Sequence, residues 1–275
     1  MVKGWNRRKK VIFLAAAAIF YLVAVLVWGM TMNPARYASD YASKMLSPDL
    51  HHLFGTDFLG RDMFYRTIKG LSISIGIAVL ASLVSSLIAL VFGISSALAG
   101  GLYDRFINWC VDLCMGIPHL VLLILISFAC GRGMRGVTIA VAVSHWPELT
   151  RIVRAEVLQV KNSQYVQASA RMGKSSWEIA ISHILPHVMP CYLIGLVLLF
   201  PHAIMHEASI TFLGFGLPAE VPAIGVILSE SMKYIVSGKW WLALFPGLML
   251  LTAVMLFDVI GENFKRLWNP SSGNE

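Results

Sequence analysis

Apolar residues in this chain come in long unbroken runs, not with the period of a half-buried strand or an amphipathic helix. "VIFLAAAAIFYLVAVLVWGM", residues 11 to 30, is the first of them. A helix needs about 20 largely apolar residues to cross a bilayer core of roughly 30 Å. Further runs lie at 71 to 99, 106 to 130, 137 to 158, 188 to 212 and 241 to 263. The fourth contains Pro147, and Glu148 and Arg151 enter it early. The pattern predicts an all-α polytopic membrane protein of about six transmembrane helices. A cleavable signal has an apolar core of about 7 to 15 residues and a small-residue cleavage site, so the first run reads as a retained anchor. The divisions expected are a terminal segment 1–10, an anchor 11–30, an extracytoplasmic segment 31–70, a transmembrane domain 71–265 and a tail 266–275. The tail's "NPSSGNE" reads as disordered.

Composition agrees with that pattern. Of the 275 residues 57% are hydrophobic and 13% charged, with a mean hydropathy of +0.70. A soluble domain carries about 25% charged residues. The net charge of +7 is not gathered into a nucleic-acid-binding stripe. It bears on orientation instead, because cytoplasmic loops hold the excess of lysine and arginine. With the N-terminus inside, thirteen of the 22 basic residues fall on the cytoplasmic side and nine opposite. Lys3, Arg7, Arg8, Lys9 and Lys10 directly precede the first run. Both termini are expected on the cytoplasmic side of the membrane. Cys110, Cys114, Cys130 and Cys191 form no C-x-x-C pair and read as buried thiols.

One stretch interrupts the apolar pattern. "QASARMGKSSWEIAISHILP", residues 167 to 186, contains Gly173-Lys174-Ser175, the end of a phosphate-binding loop. Such a loop needs a glycine five residues before Gly173 and a preceding strand. Residue 168 is Ala168 and what precedes it is helical in character, so the nucleotide loop fails. The residues suit a helical hairpin, about 159–187. Gly173 ends one helix in the left-handed conformation. Ser175 and Glu178 form a capping box for the next, which Pro186 ends or kinks. Ala168, Ser169 and Ala170 allow a close approach to the backbone. From these residues alone, a hairpin that inserts into another protein's groove and one that lies on lipid headgroups are equally good readings.

Ionisable residues at membrane depth face a cavity or a partner. In "PHAIMHEAS", His202 and His206 share one helical face, with Met205 and Glu207 adjacent. A zinc-protease H-E-x-x-H motif needs histidine at 210, which is Ile210. Imidazole, thioether and carboxylate together suit a borderline metal such as nickel, with His202 and His206 as candidate ligands. The alternative is that these histidines hydrogen-bond neighbouring helices or a partner subunit. His119, Cys110, Cys114 and Met115 form a second candidate soft-ligand cluster, against ordinary packing. Pro201 is placed to bend the fifth span. Asp112, Asp258 and Glu262 lie towards cytoplasmic ends, where interfacial water solvates them. Ser72, Ser74, Gly76, Ser82, Ser85, Ser86 and Gly93 suit close contact between helices.

Three blocks carry a resemblance. Gln167-Ala168-Ser169, Gly173 and His183-Ile184-Leu185-Pro186 resemble the cytoplasmic "EAA" loop of permease subunits in bacterial ABC importers. Gln167 stands where that pattern has glutamate, and Ser169 where it has a second alanine. "FGTDFLGRDMFYRTIKG" (54–70) and "HEASITFLGFGLP" (206–218) resemble segments of the dipeptide, oligopeptide and nickel branch, nearest its C-type permease. The resemblance implies that the hairpin, with Lys174, Ser175 and His183 in it, docks into an ATPase subunit. It implies as partners a second related permease, one or two ATPase subunits and an extracytoplasmic solute-binding protein, in a lipid membrane and without nucleic acid. No cofactor is expected on this chain: ATP and Mg2+ belong to the ATPases, and the permease is not an enzyme. The expected cargo is nickel or a metal chelate, with di- or oligopeptides as the alternative. A secondary transporter or channel predicts related halves with broken helices, and no such halves are visible. A membrane metalloenzyme needs three convergent ligands and a base, which this spacing does not supply.

Overall fold

In this computed structural model residues 7–268 are described, so positions 1–6 and 269–275 of the two expected terminal segments lie outside the described residues. The order is α1 (Arg7–Thr31), a short 3-10 turn, α2 (Met63–Ala99), α3 (Gly101–Gly116), α4 (His119–Ala129), α5 (Gly133–Ser144) and α6 (Trp146–Lys161). Then come α7 (Gln164–Arg171), α8 (Ser176–Ile179), one π-helical turn over Ala180–Ile184, α9 (Leu185–Phe212), α10 (Ile224–Ile235) and α11 (Trp241–Trp268). Among the described residues four helices, α1, α2, α9 (run together with α8) and α11, are long and apolar enough to span a membrane. A fifth span is added if α3 and α4 count as one. Large apolar side chains such as Phe20, Leu87, Leu125, Leu251 and Met255 stay exposed around the bundle, as lipid-facing positions do.

The 37-residue α2 is the axis of the bundle. Its buried face is built from small residues three or four apart: Gly70, Ser74, Ala78, Ala81, Ser85, Ala89, Gly93 and Ala97. Without the hydrophobic effect to drive association in lipid, close backbone packing must hold the helices together. A side chain at Gly93 would meet Val153 of α6 at 2.6 Å, and one at Gly70 would meet the Pro222 carbonyl at 2.4 Å. On α1, Gly29 lies so close to α2 that an added Cβ would come 2.4 Å from Ser72 Cβ. Gly76 is the exception to the expected small-residue face, with nothing within 4 Å.

Two expected spans are broken, and proline accounts for both breaks. The third bends by 103° between α3 and α4. Ile117 precedes Pro118 and is extended (φ −91°, ψ 136°), the conformation a following proline ring imposes. The fourth divides at His145, just before Pro147 in the first turn of α6, where the missing N–H interrupts the ladder. Of the two outcomes expected at Pro186, an end to the helix is not the one that occurs. The chain stays helical through it, and the π-helical turn ahead of it, in which the Leu185 N–H reaches the Ala180 carbonyl, makes room for the proline ring. Helix α2 starts at Met63, inside the expected 31–70 segment, and α10 is an element that the apolar runs did not predict.

The "FGTDFLGRD" block is a buried ionic knot at the start of α2. Asp57 accepts from the backbone N–H groups of Leu59 (2.8 Å) and Arg61 (3.0 Å), from Arg61 Nε (2.6 Å) and from Arg66 NH1 (3.0 Å). The other arms of both arginines reach Glu230 of α10, Arg61 NH2 at 3.1 Å and Arg66 NH2 at 2.6 Å. Asp62 caps α2 through the N–H groups of Phe64 and Tyr65 and also meets His52 Nδ1 at 2.9 Å. Gly60, at φ +76°, passes so close to Asp40 that an added Cβ would lie 1.7 Å from its carbonyl oxygen. Nearby, the Ser43 hydroxyl and then the Ala42 N–H hold the Asp40 carboxyl below the usual carboxylate range.

Candidate functional site

The two helix breaks face each other across a cavity of about 520 Å³. From the α3–α4 bend come Cys114, Met115 and His119; from the α5–α6 break come Ser144, His145 and Glu148; from α9 come Leu199, His202 and His206. Irregular backbone at membrane depth is tolerated where it lines a cavity, so broken helices and cavity belong together.

Three imidazoles converge there. Ring centroids are 4.7 Å apart for His119 and His145, 4.4 Å for His119 and His206, and 5.2 Å for His145 and His206. One ligand nitrogen from each lies within 4.8 Å of the other two. His145 is 8% exposed. Its Nδ1 donates to the Val141 carbonyl at 2.8 Å, an acceptor near the interruption of α5, and lies 3.0 Å from the Ser144 hydroxyl. That bond places the proton on Nδ1 and leaves Nε2 with a free lone pair. Nε2 of His145 and Nε2 of His119 are buried without a hydrogen-bond partner among the described residues.

The fifth-span constellation read from the sequence is divided by its helix. His202 and His206 line the cavity, while Met205 is exposed elsewhere. Glu207 is 0% exposed and is not among the residues lining the cavity. It accepts from the Thr211 hydroxyl at 3.1 Å, and Thr211 in turn accepts from the Leu217 N–H at 3.3 Å. This relay fastens the turn after α9, where Gly214 takes φ +85° and the Phe215 N–H returns to the Ile210 carbonyl at 2.9 Å. Of the other candidate cluster, Cys114, Met115 and His119 reach the cavity, and Cys110 packs in the apolar core beside α6. Pro201 sits inside α9, directly before His202. His145 had no place in the sequence reading; a histidine directly before Trp-Pro, inside an apolar run, was its only signal.

The hairpin forms a second feature, away from the cavity. Gly173 has φ +87°; its N–H returns to Ala170 at 3.0 Å and that of Lys174 to Ser169 at 3.3 Å, a Schellman closure of α7. Ser175 and Glu178 make the reciprocal capping box. The Ser169 hydroxyl meets His183 Nε2 at 3.1 Å and ties the two arms together. Gln167 turns to the Asn162 carbonyl at 3.2 Å. Ala168, Lys174 and Pro186 are exposed, as are the large apolar side chains of Tyr165, Met172 and Trp177 on the hairpin. Behind the hairpin, Arg154 grips Asp104 with two bonds of 2.7 Å, and Lys161 Nζ caps α2 through the Ala97 (2.9 Å) and Leu98 (3.2 Å) carbonyls. Arg151 pairs with Asp112.

A helical membrane bundle with a cavity at two broken helices and a separate, rigidly closed hairpin is the form of a transporter's permease subunit. The family described as binding-protein-dependent transport system inner membrane component matches residues 89–269, and this chain belongs to it. The dipeptide transport system permease protein DppC of Bacillus subtilis (strain 168) is 33% identical over 271 residues, covering 97% of this chain and 84% of that protein. The nickel transport system permease protein NikC of Escherichia coli (strain K12) is 32% identical over 269 residues, covering 97% and 94%. Among solved structures, inward-facing conformations of the MetNI methionine ABC transporter share the fold, with a TM-score of 0.63, 17% identity, and coverage of 75% of this chain and 98% of that one. The chain is thus a non-catalytic, multi-pass inner-membrane permease subunit of an ABC importer in the peptide and nickel branch, a family that works with ATPase and binding-protein partners.

Proposed function

We propose that this chain forms half of the translocation pathway for nickel, as the ion or as a small chelate, with both termini in the cytoplasm. The observation that carries the cargo is the imidazole lining of the cavity, where His119, His145 and His206 converge and His202 stands at the edge. Imidazole suits nickel, as it suits zinc, copper and iron. A cavity of about 520 Å³ is also far larger than a bare ion needs and accommodates a chelate. The name of the Escherichia coli relative supports the same cargo. A second related permease closes the pathway, and an extracytoplasmic binding protein delivers to the end that holds the Asp57–Glu230 knot. The hairpin around Gly173 docks in an ATPase subunit, which binds the ATP and Mg2+. Closure of the ATPases shifts the bundle between two states because the docked hairpin is held differently in each.

Uptake of radioactive nickel by cells carrying the complete transporter tests the cargo. Saturable uptake that a dipeptide mixture does not compete is the expected result. Dipeptide uptake without nickel uptake assigns the same architecture to peptides.

A further inference from the structure

We infer that His119, His145 and His206 bind the divalent cation directly, so that the cargo exchanges part of its chelator or water shell for imidazole inside the bundle. The inference rests on the cargo reading above and adds the chemistry of the contact. Three features carry it. The ligand nitrogens lie within 4.8 Å of one another. The Nε2 atoms of His119 and of His145 are buried with no partner among the described residues, in a cavity that Ser144 and Glu148 also line. Imidazole nitrogens left unpaired at that depth cost free energy unless something accepts their lone pairs. The third feature is the Val141 carbonyl on His145 Nδ1, 2.8 Å away. A metal-bound histidine characteristically donates its other ring N–H to such an acceptor, which fixes the tautomer and aims the ligand nitrogen.

The spacing is wider than a closed metal centre. Metal–nitrogen bonds of about 2.0–2.1 Å bring ligand nitrogens to roughly 3–3.5 Å of each other. The rings therefore have to draw in by 1 to 2 Å, on the order of one rotamer adjustment each. A site that binds without being preformed at full strength suits a cargo that must leave again. The ligands come from three separate elements: the α3–α4 bend, the α5–α6 break and α9. Relative movement of these elements opens or closes the triad, so the alternation of the bundle sets the affinity.

The test uses the intact permease–ATPase complex, purified in detergent without the binding protein and titrated with Ni2+ alone. X-ray absorption at the nickel edge is expected to show imidazole scattering. Alanine at His119, His145 or His206 is expected to weaken binding by at least about tenfold, and alanine at His51 in the outer loop to leave it unchanged. Retained ATP hydrolysis and an unchanged elution volume identify variants that have folded. The absorption spectrum of the unaltered complex stands independently of any variant. Absence of imidazole scattering, or equal affinity in folded variants, overturns direct coordination even where the cells still take up nickel. Dipeptide uptake without nickel uptake overturns the cargo reading, whatever the titration shows.

Discussion

Replacing Arg66 by alanine is expected to destabilise the folded permease by about 3–5 kcal/mol, the range for removing one partner from a buried ion pair. Arg66 is 2% exposed, and its guanidinium bridges Asp57 (3.0 Å) and Glu230 (2.6 Å). The bridge joins the loop before α2 to α10, segments more than 160 residues apart in the chain. Without it two carboxylates are left with one arginine, Arg61, which already serves both. Lysine at 66 is expected to recover only part of the loss, since a single ammonium cannot reach both carboxylates in the way of a planar fork. Thermal denaturation of the detergent-purified complex checks this. A melting curve for Arg66→Ala that overlays the wild type contradicts the assigned role of the knot.

Proline at Gly173 is expected to abolish ATP-coupled uptake. The residue sits at φ +87°, whereas a proline ring fixes φ near −65°, and its N–H is committed to the Ala170 carbonyl. The closure of α7 would open, and the Ser169–His183 contact across the hairpin would go with it. Nothing lies within 4 Å of where a Cβ would stand, so the demand on this position is conformational and not steric. Asparagine, which tolerates the left-handed region, is therefore expected to keep most of the uptake. Pull-down of the ATPase on tagged permease separates lost docking from lost transport. Equal recovery of ATPase and equal uptake with Gly173→Pro remove the docking role from this hairpin.

The sequence made some of these features legible and hid others, for identifiable reasons. Long apolar runs exposed α1, α2, α9 and α11, because a spanning helix is specified by composition over some 20 residues. The hairpin's turn could be read residue by residue, since a left-handed glycine and a Ser-x-x-Glu box are local chemistry; both form as expected. The breaks at Ile117-Pro118 and at His145 fall inside runs that hydropathy reads as single spans; Pro118 and Pro147 were their visible marks, but a proline inside an apolar run does not by itself tell a kinked span from two helices. α10 was missed because its 12 residues are too few to span and include Glu230 and Lys233. The cavity was half visible. His202 and His206 share a face four residues apart, but their partners His119 and His145 arrive from two other helices. Glu207 shows the limit of adjacency: one position beyond His206 is about 100° around the helix, and it points into packing instead of the pathway.

A nickel pathway driven through the docked hairpin, as proposed, is tested most directly by ATP hydrolysis in the reconstituted complex, presented with nickel-loaded or dipeptide-loaded binding protein. Stimulation by the nickel-loaded form alone, lost when Gly173 becomes proline, is the predicted result. Stimulation by the dipeptide-loaded form alone, or hydrolysis indifferent to both cargo and Gly173, contradicts it.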